Sequence, residues 1–264
     1  MRYAVIMVFV EAEHVSEQRV RLAASIAEKF SATLIGVSAF ALPQVLDKEI
    51  KDFQTILSQR EAWFSKFIGP LHLKLEWRAA IDFPTDVLLN EARAADLIII
   101  GRSEPSEDFH RRVDLARAVL DAGRPVLVVP DGIGTLRARH VVIGWKDRRE
   151  ARRAVTDALP FLREADTVAI VEIYDADGSE AAQQRITDVA HFLERHKVSV
   201  GPKISVRHEV SNSDAAQLIR IAQDAGGDLL VTGAYGHSGL GERLFGGVTR
   251  ELLASSPICC LMSN

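Results

Sequence analysis

Cysteine is nearly absent: the 264 residues contain two, Cys259 and Cys260, side by side. Neighbours on a strand point to opposite faces, so a bridge between them would be strained. With no third cysteine there is no disulfide framework and no thiolate zinc site. The pair reads as core packing in a reducing cytoplasm, with a vicinal redox or metal pair as the alternative. Long hydrophobic runs are also missing. The apolar start, Met1 to Val10, is too short to span a bilayer and lacks a small-residue cleavage site, so it reads as a first strand and no membrane partner is expected. Neither charge dominates: 32 Lys and Arg face 36 Asp and Glu, for a net charge of −4 and no basic stripe. Nucleic acid is therefore not an expected partner. There is no His-Glu-x-x-His, no Gly-x-Ser-x-Gly and no metal-spaced cysteine cluster. His191 and His196 stand at i,i+5, off a common helix face. Ser211 and Ser213 have no evident base. Nothing in the sequence calls for an active site, and the chain reads as a non-enzyme.

What is present is a repeat. Ala95-Asp96-Leu97-Ile98-Ile99-Ile100-Gly101 parallels Gly227-Asp228-Leu229-Leu230-Val231-Thr232-Gly233, and Pro125-Val126-Leu127-Val128-Val129 parallels Pro257-Ile258-Cys259-Cys260-Leu261. Both pairs are offset by 132, half the chain (233 − 101 and 257 − 125). Each copy reads as alternating strands and helices. In the second copy, strands are expected at 141–145, 167–173, 205–210, 228–232 and 258–262, with helices at 150–163, 181–196, 214–225 (capped by Ser213) and 248–254. In the first, strands are expected near 4–10, 32–39, 73–79, 97–100 and 125–129, with helices near 16–30, 50–68, 86–94 and 114–122. Residues 131–135 are a turn-rich linker. Two domains follow, 1–132 and 137–264. Such alternation predicts an α/β fold of two tandem, doubly wound parallel five-stranded sheets of Rossmann-like type, with ligands outside the strand C-termini.

The densest glycine cluster lies at such a place. Thr232-Gly233-Ala234-Tyr235-Gly236-His237-Ser238 continues to Phe245-Gly246-Gly247-Val248-Thr249, between a buried strand and a helix. Glycines here permit positive φ and a close ligand approach, and a helix N-terminus presents N–H groups to an anion such as a phosphate. The alternative is a connecting loop with no ligand. No Gly-Lys-[Ser/Thr] closes a Walker A loop, and the Gly-x-Gly-x-x-Gly spacing is absent.

The stretch resembles the universal stress protein family, whose ATP-binding members carry Gly-x2-Gly-x9-Gly-[Ser/Thr]. Gly233, Gly236 and Gly246 match at those spacings, Gly247 departs from Ser or Thr, and Thr249 supplies the second hydroxyl. The resemblance implies strand order 3-2-1-4-5 and ATP or another adenine nucleotide as cofactor, with Mg a possible companion. It implies a cradle of Gly233, Gly236, Gly246, Gly247, Val248 and Thr249, and a base and ribose pocket near Gly144, Trp145 and Ile173. His237 and Arg243 lie inside the loop, and either could meet a phosphate or stay solvated. Trp145 could cover the base or belong to the core. Lys146 stands where the family commonly has an acidic residue. The same subtraction maps Gly236 to Glu104, Gly246 to Asp114, Gly247 to Leu115 and Thr249 to Arg117. With Glu107 and Asp108 nearby, the first copy is expected to be degenerate and not to bind nucleotide. The resemblance further implies an intramolecular pseudo-dimer through strand five, Val126–Val129 with Ile258–Leu261, a possible homodimer, and a regulatory or protective stress-response module. A slow ATP hydrolase and a ligand-free interaction module are the alternatives.

Overall fold

The computed structural model describes residues 2–12, 17–41, 47–102, 109–174, 178–234, 236–239 and 242–264. Ser16, the expected first residue of the first helix, the loop carboxylates Glu104, Glu107 and Asp108, and Tyr235 lie outside them. The chain divides into two compact units, Arg2–Thr135 and Leu136–Asn264.

The first unit runs β1 (Val5–Phe9), α1 (Glu17–Phe30), β2 (Thr33–Phe40), α2 (Asp47–Ile68), β3 (Leu75–Ile81), α3 (Pro84–Glu91), β4 (Leu97–Gly101), α4 (Leu115–Asp121) and β5 (Val126–Val129). Its strands are ordered β3-β2-β1-β4-β5, all pairs parallel. β1, β2 and β4 are almost continuously buried, the pattern of strands covered on both faces.

The second unit runs β6 (His140–Trp145), α5 (Arg149–Asp157), α6 (Leu159–Leu162), β7 (Thr167–Tyr174), α7 (Ser179–Arg195), β8 (Val200–Arg207), α8 (Asp214–Asp224), β9 (Leu229–Gly233), β10 (Gly236–Gly239), β11 (Glu242–Phe245), α9 (Gly247–Ser255) and β12 (Cys259–Ser263). Its parallel order is β8-β7-β6-β9-β12.

The repeated aspartate has a physical role in both units. Asp96 Oδ2 accepts from the N–H groups of Ala4 (2.7 Å) and Val5 (3.0 Å). Asp228 accepts from Arg139 (3.2 Å) and His140 (3.1 Å). Each carboxylate pins the start of the first strand to the strand it joins.

Four sequence expectations need correction. The expected third strand at 205–210 instead runs Val200–Arg207; Gly201 and Pro202 hide its start, and proline is tolerated because β8 is an edge strand of this unit. The expected helix 150–163 is divided into α5 and α6, with proline in the opening turn of α6. Part of the glycine loop is an antiparallel hairpin, β10 with β11, pairing Gly236 with Phe245 and His237 with Leu244. The repeat offset is not uniform. Leu97 and Leu229 pair with Ile6 and Val141, an offset of 135 (141 − 6), while Ile98 and Leu230 pair with Val126 and Cys260, an offset of 134 (260 − 126).

Candidate functional site

At the C-terminal ends of β6, β7 and β9 the second unit forms a cleft of about 720 Å³. Seen from the sequence outward, β6 delivers Gly144 and Trp145, β7 delivers Ile173, β9 ends in Gly233, and α9 opens with Gly246 as N-cap followed by Gly247, Val248 and Thr249. All eight line this one cleft. Gly236 and His237 lie on β10, and the ladder carries Gly236 to Phe245, next to Gly246. For His237 and Arg243 the description is of backbone alone.

The reasons for the glycines differ. A Cβ on Gly233 would stand 2.5 Å from the backbone N of Ala151, and one on Gly144 would stand 2.7 Å from Leu218 Cδ2. Gly233 is required by the backbone of α5 against the sheet, whereas at Gly144 the close atoms are side-chain methyls of Leu218 and Thr232. Gly246 has φ −59 and ψ 146, angles open to any residue. A Cβ on Gly247 would meet nothing within 4 Å. Positive φ, the expected reason for glycine in this stretch, therefore does not apply at Gly246.

What these two glycines do is leave a helix end bare. The N-cap of α9 is a glycine with no side chain to cap it, and no carboxylate stands in its first turn. By contrast, α3, α5, α7 and α8 each carry an acid there, and α8 is also capped by Ser213, whose Oγ accepts from the N–H of Ala216 at 3.0 Å. The matching helix of the first unit, α4, is capped by Asp114, whose Oδ1 accepts from the N–H of Arg117 at 3.0 Å. The positive end of α9 faces the cleft, and its N-cap glycine supplies no acceptor of its own.

The cleft wall also holds residues that sequence reasoning passed over. His208 Nδ1 lies 2.6 Å from Asp214 Oδ1, and Ser213 Oγ donates to Glu251 Oε1 at 2.7 Å. Arg148, Glu150, Val171 and Leu218 complete much of the lining. The only sequence signal among them was the cap at Ser213. Thr249 lines the wall but is 1% exposed, so its side chain offers little surface. Among the described residues no group of three or more His, Cys, Asp or Glu could hold a metal ion.

The first unit differs at the same strand ends. The guanidinium of Arg19 lies against Gly101, the counterpart of Gly233, and forms an ion pair with Glu11. By the strand-one offset, Glu11 is the counterpart of Lys146.

Comparison with known proteins gives the same direction. The universal stress protein family model matches residues 137–263. No curated protein sequence matches the chain. Among solved structures, a universal stress protein from Archaeoglobus fulgidus superposes with a TM-score of 0.77 at 12% identity, covering 99% of this chain and 98% of that one. A functionally unknown protein from Pseudomonas aeruginosa gives 0.61 at 14% identity, covering 99% and 92%. A universal stress protein solved in complex with cAMP gives 0.37 at 21% identity, covering 49% of this chain and 98% of that one. The two longer likenesses show that the fold extends over the whole chain. Among the described residues, no helix is long and apolar enough to cross a membrane.

Proposed function

Residues 137–263 belong to the universal stress protein family, and from that premise we propose that the second unit binds ATP or a related adenine nucleotide, with its phosphates at the start of α9. The observation that carries this reading is the bare glycine N-terminus of α9 beside the cleft. Gly246 and Gly247 weaken the helix start relative to a capping pair; backbone angles do not call for glycine at Gly246, and packing does not call for it at Gly247. An incoming phosphate supplies the acceptor that Asp114 supplies to α4. Base and ribose lie toward Gly144, Trp145 and Ile173. If Mg²⁺ accompanies the nucleotide, the phosphates would have to supply most of its ligands, since among the described residues no group of three or more His, Cys, Asp or Glu could hold it.

The first unit does not bind nucleotide in this reading. Its helix end is closed by Asp114, and the Arg19–Glu11 pair occupies its strand ends. In this reading the module is regulatory or protective rather than a catalyst; among the described residues no group of three or more His, Cys, Asp or Glu stands ready to hold a catalytic metal. Cytoplasmic residence follows the same reading.

Mass spectrometry of denatured purified protein tests for retained nucleotide. Gly236→Asp brings a carboxylate to the loop and abolishes binding; unchanged ATP affinity in that variant would move the phosphate site elsewhere. A phosphate-release assay separates a binding module from a slow hydrolase. From their apolar sequence we also propose that the fifth strands, Val126–Val129 and Ile258–Leu261, join the two halves as a pseudo-dimer. A fragment of residues 136–264 is then a homodimer or aggregates in light scattering, and a well-behaved monomer refutes the pairing.

A further inference from the structure

We propose that His208 selects the base of the bound nucleotide: its Nε2 accepts a hydrogen bond from the 6-amino group of adenine, so that the cleft prefers 6-amino to 6-oxo purines. The inference rests on the nucleotide reading above and adds a specificity-determining residue to it. His208 directly follows β8 and lines the same cleft, and its side chain is 38% exposed. The residue is held at both of its peptides and at one ring nitrogen. Buried Gln217 of α8 spans it: Gln217 Nε2 donates to the carbonyl of Arg207 at 2.9 Å, and Gln217 Oε1 accepts from the N–H of Glu209 at 3.2 Å. The N–H of His208 itself donates to the carbonyl of Tyr174 at 2.8 Å. A solvated surface histidine needs none of these bonds.

The fixed ring has a defined polarity. Its Nδ1 lies 2.6 Å from Asp214 Oδ1. An ionised carboxylate can only accept, so Nδ1 carries the proton, and the neutral ring presents Nε2 as an acceptor. Nε2 has no partner among the described residues. Charge decides which part of a nucleotide meets it. Asp214 stands against the ring, and Glu251, held by Ser213 Oγ, lines the same wall. Lys146, Arg148 and Glu150 belong to the β6–α5 side of the cleft. A phosphate is disfavoured beside Asp214, and a neutral group carrying a donor is favoured. Strand order makes that group the base. Across the sheet β8 is third from β9, the strand that ends in Gly233, a separation of roughly 14 Å at about 4.8 Å per strand. A nucleotide with its phosphates at the start of α9 and its base at Ile173 of β7 therefore turns the far edge of the base toward β8 and His208.

The test is calorimetric titration of the full chain at pH 8 with ATP and with ITP, which share ribose and triphosphate but differ in that ITP has a carbonyl oxygen where ATP has the amine. ATP binds about tenfold more tightly than ITP, and His208→Phe weakens ATP binding until the ratio is about twofold or less, as expected when one hydrogen bond to a fixed acceptor is lost. A second readout needs no folded variant. In the chain labelled with ¹⁵N-histidine, the Nε2 resonance of His208, one of eight histidines, is identified by its absence from His208→Phe. It moves when ATP is added and stays in place with ITP. Equal affinities for ATP and ITP overturn the inference, as does an Nε2 resonance unmoved by saturating ATP or a preference that survives in His208→Phe. Each of these outcomes leaves nucleotide binding standing. If neither nucleotide binds, the reading of the cleft itself fails, and the role of His208 falls with it.

Discussion

Gly247 differs from Gly233 and Gly144 in what a side chain there would meet. At Gly233 a methyl group collides with the backbone of Ala151, so Gly233→Ala lowers stability by about 1–3 kcal/mol, measured as a shift in urea midpoint. At Gly247 the space is open. Gly247→Ser therefore folds normally and restores the hydroxyl at the position where the family resemblance expects one. The variant gains about 0.5–1.5 kcal/mol in ATP affinity by calorimetry, the worth of one hydrogen bond; an affinity equal to or below that of the parent places the phosphates elsewhere. The sequence could place the glycines but could not sort them, because spacing carries no information on which neighbour approaches each one. Cys259 shows the same limit. Its adjacency to Cys260 was legible; its inertness comes from burial, which, with Cys260 and Asp228 adding, pushes the thiol up to about 12 from 9.0. Folded protein keeps that proton while the unfolded chain loses it. The contribution is fully present below pH 9.0 and falls by about 1.4 kcal/mol per pH unit until about 12. Urea unfolding at pH 8 and pH 10.5 shows that loss, and Cys259→Ala removes this part of it.

Among the elements, α4 and α9 are one helix with two endings. Asp114 closes the first, and Gly246 leaves the second open. Asp114→Ala costs about 1 kcal/mol of stability by loss of the cap. The reverse change, Gly246→Asp, supplies α9 with its own acceptor. Thermal melting temperature rises while ATP affinity falls, a pairing of opposite signs that a purely structural loop would not produce. A variant that is both more stable and as tight a binder contradicts the assignment of this helix end to phosphate. Much of this was legible: the apolar runs gave the buried strands, the Ser213 cap was visible, and the offset of 132 aligns the two N-caps (246 − 114). The hairpin β10–β11 was not, since Gly236–Gly239 and Glu242–Phe245 carry no strand alternation to mark the pairing of Gly236 with Phe245 and His237 with Leu244. The early start of β8 was hidden by Pro202, which reads as a breaker unless the strand is known to be an edge.

At the scale of the whole molecule, one fold serves two ends. Both units share the strand–helix alternation and the aspartate that pins their first strand. The first then closes its strand ends with its own side chains, through Arg19, Glu11 and Asp114. The second keeps a cleft of about 720 Å³ lined by glycines and the open start of α9. The repeat made this asymmetry visible in the sequence as lost glycines. The filling of the first site by Arg19 was not visible, because strand one is offset by 135 rather than 132 and Glu11 falls out of register with its counterpart. The central claim is therefore a stoichiometry. Isothermal titration of the intact chain with ATP in Mg²⁺ gives one site per chain, and Gly246→Asp removes it. A value near two, or binding that survives Gly246→Asp and is lost instead on Arg19→Ala, contradicts the account.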